Sequence, residues 1–331
     1  MTDSGPSPDK IMQLISGSWS TAILGAAATH GIFNVLESGA SAAQVAQKCT
    51  LAPRGAQALL DGLLGLGLIT LENQTYRNTP ESSTFLVEGK PAWFGGLARW
   101  GLSTIARWGD LGEVAQTGIP KASDTADVAD NPFWEVLVPS IAVLSFQTAQ
   151  AAAERLGLAK AGPIAWLDVG GGSGVYSAVW LGANPKARAT QLDWANVNKI
   201  ARGFVARFGG ADRFGTIDGD FHTTDFGSGL YDVAIYSHIA HQESPASNLA
   251  VFKKFRRALK PGGTLLISDF VLNDDRTGHP FTLLFTANML LHAKEGATYR
   301  QKDYRAWLNE AGFPSVTIEP TPGAASLIYA R

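Results

Sequence analysis

The sequence predicts an α/β protein: a doubly wound, largely parallel sheet preceded by a smaller, mainly α-helical winged-helix module. Three observations carry this prediction. Trp166-Leu-Asp-Val-Gly-Gly-Gly-Ser-Gly174 is an apolar strand that runs through an acid into a glycine-rich turn, the way a nucleoside-binding βαβ unit opens. Downstream, short apolar runs alternate with helix-like spacings, as crossover helices and parallel strands do. Upstream of about residue 98, helix starts and one hairpin follow each other without such strands. The expected division is therefore 1–98 and 99–331, with linking helices ahead of a core that begins near residue 160.

The N-terminal elements follow in order. Ile11 to Leu36 holds no formally charged residue, but Gln13, Ser16, Ser18, Ser20, Thr21, Thr29, His30 and Asn34 interrupt it. A bilayer span is more uniformly apolar. One or two helices buried on several sides are expected, as when a subunit's N-terminus packs into its partner. Ser41 caps a short helix to Lys48, Pro53 opens another to about Leu66, and Leu68 to Asn78 forms a hairpin wing. This winged-helix pattern raises a DNA-binding regulator as a rival function. Arg54 is the only basic residue from Pro53 to Ile69, whereas phosphate contact requires several. A buried dimerisation surface explains the Leu-rich helix better. Trp93, Phe94, Trp100 and Trp108 precede a polar loop, Thr117 to Asn131, and a helix from about Phe133 to Leu156 bridges the domains.

In the C-terminal part the glycine turn reads as a ligand cradle, since it lacks every Cβ at 170, 171, 172 and 174. A dinucleotide fingerprint does not fit: counting from Gly170 ends on Val175 and counting from Gly172 ends on Ser177. Asp168 beside the turn suits a cationic ligand better than a pyrophosphate. Val175 to Leu181 has helical spacing, and Ala187 to Leu192 is a strand ending in Asp193, placed to accept from ribose hydroxyls. Arg213 to Asp218 leads to Gly219-Asp220-Phe221, a carboxylate and a ring that can edge and stack an adenine. Tyr231 to Tyr236 is a strand running into Ser237-His238-Ile-Ala-His241. Leu259-Lys-Pro-Gly-Gly263 is expected to end a helix before a strand from Thr264 to Ser268.

Taken together, these motifs resemble class I S-adenosylmethionine-dependent methyltransferases with a Rossmann-like sheet. From about residue 11 to 331 the chain is similar to the small-molecule O-methyltransferases that include plant caffeic acid and isoflavone enzymes and bacterial polyketide-tailoring enzymes. The resemblance implies a winged-helix dimerisation domain, an intertwined homodimer, S-adenosylmethionine as donor and S-adenosylhomocysteine as product. It assigns Asp168, Gly170, Gly172, Asp193, Asp220, Phe221 and Ser237 to the cofactor and His241 to the general base. Met289 and His292 match an element lining the acceptor pocket, and Trp108, Phe133 and Phe146 are further pocket candidates. The family branch is metal-independent.

Departures bear on the chemistry. Gln242 stands where the family has Asp, Ser237 where it has Lys, and Thr298 where plant enzymes carry a Glu that orients the catalytic His. Asp274, Asp275 and Glu295 are the acids considered as substitutes. A sulfonium is already an activated donor, so positioning is the main task. A hydroxyl acceptor of an aromatic or secondary metabolite must also lose a proton, which a neutral imidazole can take. A thioether or carbon acceptor would need mainly proximity, so S- or C-methylation is the alternative. A third reading uses the bound cation only as an electrostatic catalyst of a rearrangement. His238, His30, His222 and His279 are expected to be structural.

Composition agrees with a globular enzyme. The 331 residues are 45% apolar and 17% charged, enough for two cores. With 27 basic and 29 acidic residues, no electrostatic reason exists to expect nucleic acid or an anionic membrane as partner. The single cysteine, Cys49, excludes an intrachain disulfide, and no ligand spacing suggests a zinc site. Without a basic leader at its start, the chain is expected in the cytoplasm.

Overall fold

The computed structural model describes residues 6–121 and 131–331, in two compact units, Met1–Gly109 and Asp110–Arg331.

The first unit opens with α1 (Asp9–Ile15) and α2 (Gly17–Thr29), bent by 42° at their junction, and no single helix among the described residues is long and apolar enough to cross a membrane. After α3 (Ile32–Leu36), α4 (Ala42–Lys48) begins at Ser41. The Ser41 hydroxyl accepts from the Gln44 amide while the Gln44 side chain accepts from the Ser41 amide, which satisfies two donors that a helix start leaves open. α5 (Pro53–Gly65) leads to the hairpin of β1 (Ile69–Glu72) and β2 (Thr75–Asn78). Asn73 and Gln74 at its tip have φ of 49° and 65°, the conformation a two-residue hairpin turn demands. α6 (Pro80–Phe85) and α7 (Gly95–Thr104) complete the unit. Phe33, Leu36, Val45, Leu60, Leu63 and Tyr76 form its core. The expected burial of the uncharged N-terminal stretch does not extend to α1, which has no buried residue in the single chain.

The second unit begins with α8 (Leu111–Thr117) and α9 (Pro132–Ile141), followed by a 3-10 turn, Ala142–Ser145, and α10 (Phe146–Arg155). The single helix expected from Phe133 to Leu156 is therefore two. Pro139 inside α9 removes one backbone donor, and the ladder tightens and breaks soon after it. The elements β3 (Ala165–Val169), α11 (Val175–Ala183), β4 (Arg188–Asp193), α12 (Ala195–Arg207), β5 (Phe214–Asp218) and β6 (Tyr231–Ser237) then alternate. They continue with α13 (Pro245–Ala258), β7 (Leu259–Asp269), α14 (Pro280–His292), α15 (Gln301–Glu310), β8 (Val316–Pro320) and β9 (Ser326–Ala330).

A helix ends at Leu259-Lys-Pro-Gly-Gly263 as expected, since α13 stops at Ala258, but the strand begins at Leu259 rather than Thr264, so the segment lies inside β7. Tyr231 pairs with Leu259 but Val233 with Thr264, so the Pro-Gly-Gly segment is accommodated as a bulge.

The sheet order is β5-β4-β3-β6-β7-β9-β8. All neighbours are parallel except β9, which is antiparallel to β7 and to β8. Strand side chains alternate between faces. Leu167, Val169, Ala234 and Tyr236 accordingly join one core with Phe252 and Phe255 of α13, while Trp166, Val233 and Ile235 join another with Tyr176 and Trp180 of α11. The order reverses at β3, between β4 and β6, and such a switch point opens a crevice at the C-terminal strand ends. Asp168, Asp193, Asp218, Ser237 and Asp269 all lie at those ends.

Candidate active site

The glycine turn after β3 is held by both backbone and side-chain hydrogen bonds. Gly170 and Gly172 have φ of 65° and 56°, a left-handed conformation that costs other residues energy. The Gly170 amide donates to the Leu192 carbonyl at 2.9 Å, and the Gly172 amide to Oδ2 of Asp193 at 2.9 Å. Oδ1 of Asp193 accepts from the Trp194 amide at 2.8 Å. Each oxygen of Asp193 thus retains a second acceptor site for a diol. Burial pushes this carboxyl up to about 6, against the pull of the two amides.

Asp168 corrects one expectation. It has no accessible surface, so direct contact with a ligand is closed to it. It lies beneath the turn, where a Cβ on Gly171 would come within 2.8 Å of its Cγ. Neither carboxyl oxygen has a hydrogen-bond partner, and burial, then the charge of Asp193, pushes the group up to about 8. An orphaned acid under a cradle is what a cation above the turn would relieve. The residues present therefore fit S-adenosylmethionine.

At the end of β5, Oδ1 of Asp220 accepts from the His222 amide at 2.8 Å and faces His222 Nδ1 at 2.7 Å. The other ring nitrogen, Nε2, lies 2.8 Å from Oε2 of Glu243. The Phe221 ring stacks on His222 with centroids 4.2 Å apart. His222, expected to be structural, joins two acids.

At the end of β6, His241 is buried and its Nδ1 lies 2.6 Å from Oδ1 of Asp269, at the end of β7. This is the acid that orients it, in place of the three considered. Asp274 accepts from the Lys302 amide, Asp275 from Thr277, and Glu295 is exposed. Asp269 is fully buried and accepts four bonds, from the His241 ring, the His241 and Phe270 amides and the Tyr304 hydroxyl. Burial acts to raise its carboxyl, but His241, His238 and the Phe270 amide hold it below the usual range. A carboxylate that accepts from its neighbour's Nδ1–H keeps Nε2 as the basic nitrogen. His238, His241 and Asp269 also lie close enough to suggest a cation ligand set. The four donors on Asp269, however, take up its acceptor sites.

His238 occupies φ of 57°, a strained conformation for a residue with a Cβ, and its amide donates to the Ser268 carbonyl at 2.8 Å. Its Nδ1 has no hydrogen-bond partner and lies 3.9 Å from Oδ1 of Asp269. Burial, with a contribution from His241 and against Asp269, pushes its imidazole down to about 4, so the ring is neutral near pH 7.

Apolar rings close around His241. Phe285 meets it edge-on at 4.9 Å, Phe270 stacks at 5.9 Å, and Phe270, Phe281 and Phe285 contact one another. The sequence reading missed all three, although Phe281, Phe285, Met289 and His292 recur at helical spacing along α14. Met289 is buried there and His292 occupies the last turn. Ser237 ends β6, paired in register with Ser268. Phe146 does not join this group: it packs on Phe208, 5.8 Å away, beside the Trp180 core. Trp108 belongs to the first unit, and the Phe133 side chain lies outside the described residues. Thr298 is buried with its hydroxyl unpartnered.

Known proteins are similar to this chain in sequence and in fold. Residues 151–314 match the O-methyltransferase domain and residues 12–88 the O-methyltransferase dimerisation domain. The chain is 31% identical to 3-hydroxy-5-methyl-1-naphthoate 3-O-methyltransferase of Streptomyces sahachiroi, covering 97% of this chain and 94% of that protein. It is 29% identical to the tetracenomycin polyketide synthesis 8-O-methyl transferase of Streptomyces glaucescens, over 98% and 96% of the two chains. In fold it is similar to human N-acetylserotonin methyltransferase, solved with S-adenosylmethionine, at a TM-score of 0.87 and 22% identity, covering 100% of this chain and 99% of that one.

Proposed function

Because the chain belongs to the O-methyltransferase family, we propose that it methylates a hydroxyl on a small aromatic acceptor, with His241 as the base and as a homodimer. The observation that carries the hydroxyl reading is the bond between His241 and buried Asp269. A thioether acceptor has no proton to lose and would leave such a dyad without work. Bound S-adenosylmethionine supplies an activated methyl on a sulfonium. Asp193 holds the ribose hydroxyls, Asp220 and Phe221 hold the adenine, and Gly170 and Gly172 let the ligand approach the main chain. Ser237 adds a hydroxyl at the end of β6. His241 accepts the acceptor's proton at Nε2, Asp269 stabilises the imidazolium that results, and Phe270, Phe281, Phe285 and Met289 exclude water from the acceptor. His292 lines the same helix face. One relative acts on a hydroxynaphthoate and another serves tetracenomycin polyketide synthesis, as their names state, and this apolar, ring-lined wall is suited to an aromatic acceptor of the first kind.

The test is calorimetric titration with S-adenosylmethionine and S-adenosylhomocysteine, repeated on Asp193→Ala, followed by turnover of hydroxylated naphthoates with the product read by mass. Micromolar binding that the variant loses, and a gain of one methyl on oxygen that His241→Ala abolishes, are expected. Absence of binding by the native chain would remove the proposal.

A further inference from the structure

Asp220, His222 and Glu243 form a chain of three groups that methyl transfer itself does not use. Nδ1 of His222 faces Oδ1 of Asp220 at 2.7 Å and Nε2 faces Oε2 of Glu243 at 2.8 Å. A carboxylate only accepts, so both contacts are hydrogen bonds only when both ring nitrogens carry protons. A neutral imidazole satisfies one acid and turns a lone pair toward the other.

We propose that His222 is a positioning residue for the adenine end of the cofactor: as an imidazolium it ties Asp220 to Glu243, so that the adenosyl group binds more tightly with His222 charged than neutral. This rests on the reading of Asp220 as the adenine-facing acid. Oδ1 of Asp220 is committed to the His222 ring and amide, which leaves Oδ2 to accept from an exocyclic amine. The Phe221 ring lies on the His222 ring, so one clamp sets both adenine contacts. The anchor is firm, because Glu243 is buried and its Oε2 also accepts from the Ser247 hydroxyl of α13. Three titratable groups face the bridge: Asp220 on its own loop, Glu243, and Lys254 of α13, whose amine donates to the Phe221 and His222 carbonyls. Burial works to lower the His222 imidazole, but Glu243 and then Asp220 outweigh it and hold it above its usual value. The bridge is therefore complete at low pH and is lost as pH rises through that raised value.

The test measures S-adenosylhomocysteine affinity by calorimetry from pH 6 to 9 for the native chain, His222→Gln and His222→Arg. Asp168, Asp193 and the ligand's own amine titrate in the same range but in all three proteins alike, so the ratio of affinities isolates His222. The native chain is expected to bind about three- to tenfold tighter than His222→Gln at pH 6, the net worth of one ordinary hydrogen bond at an exposed site, with the ratio shrinking toward one at pH 9. The permanent cation of His222→Arg is expected to keep its affinity at pH 9. In the cofactor-free protein, NMR titration of the His222 ring is expected to show a midpoint that drops in Glu243→Gln. A ratio independent of pH overturns the proposal alone. Failure of the native chain to bind at any pH overturns the cofactor reading, and the proposal with it.

Discussion

At the residue scale, the site depends on buried acids whose partners decide their charge. Asp269→Asn preserves shape but presents an amide to His241, which favours the wrong imidazole tautomer. A fall in kcat of about 10²-fold or more is expected, the usual worth of a positioned base, with S-adenosylhomocysteine affinity held within about threefold. Equal loss of both would show that Asp269 only supports the fold. Asp168 gives a different signature. Its folded carboxyl keeps a proton to about pH 8, while an unfolded Asp releases it near 3.9. Between those values the folded chain binds more protons, so this group's contribution to stability falls as pH rises and levels off above about 8. A cation bound above the turn draws the proton off, so titration at pH 7 is expected to release protons. The binding enthalpy should then vary with the buffer's ionisation enthalpy, and less so in Asp168→Asn. A buffer dependence unchanged in that variant would sink the idea. Asp193, Asp220 and His241 were legible because each follows a strand inside a short motif. Asp269 was not, since it ends an ordinary apolar strand 28 positions from His241. Only the pairing of Ser237 with Ser268 brings the two strand ends together.

At the element scale, local rules read well where one residue decides the conformation. The cap at Ser41, the helix start at Pro53 and the hairpin within Leu68 to Asn78 were found where cap and turn chemistry placed them. They failed where neighbours decide. Pro-Gly-Gly at 261–263 marks the end of α13 correctly but reads as a turn ahead of the next strand, whereas pairing with β6 takes it into β7 as a bulge. The aromatic wall of α14 was illegible because a helix face acquires meaning only from what it meets, here His241 and Phe270. The loop after α14 makes a further contact that no motif announces. A Cβ on Gly296 would fall 2.3 Å from the His241 carbonyl oxygen and 2.9 Å from the Gln242 Cα. Both are backbone atoms that cannot yield cheaply. Gly296→Ala is expected to cost about 1–3 kcal/mol in thermal or denaturant unfolding and to lower kcat by shifting His241, while cofactor affinity, set at β3 to β5, stays near native. A variant with native kcat would show that the loop relaxes without moving the base.

At the scale of the whole molecule, the described surface of the first unit is incomplete in a way that its composition foretold. Ile11, Met12, Leu14 and Ile15 of α1 and Trp19 of α2 are between 59% and 71% exposed, although the stretch from Ile11 carries no charge to keep it in water. Full burial of side chains this large is worth about 1.5–3 kcal/mol each, so five of them together exceed the lower estimates, about 4 kcal/mol, of the entropy lost on association. The same residues fall largely within the matched dimerisation domain, 12–88, and a two-fold interface would bury each twice. Sedimentation velocity is expected to find a dimer at micromolar concentration, and the double variant Ile15→Asp with Trp19→Asp to shift it to monomer, because two desolvated carboxylates per subunit would oppose contact. The native chain's Tm should rise with protein concentration and the variant's should not, since association couples to folding by mass action. A variant that remains dimeric would place the interface elsewhere on the first unit and leave the exposure of α1 to another partner.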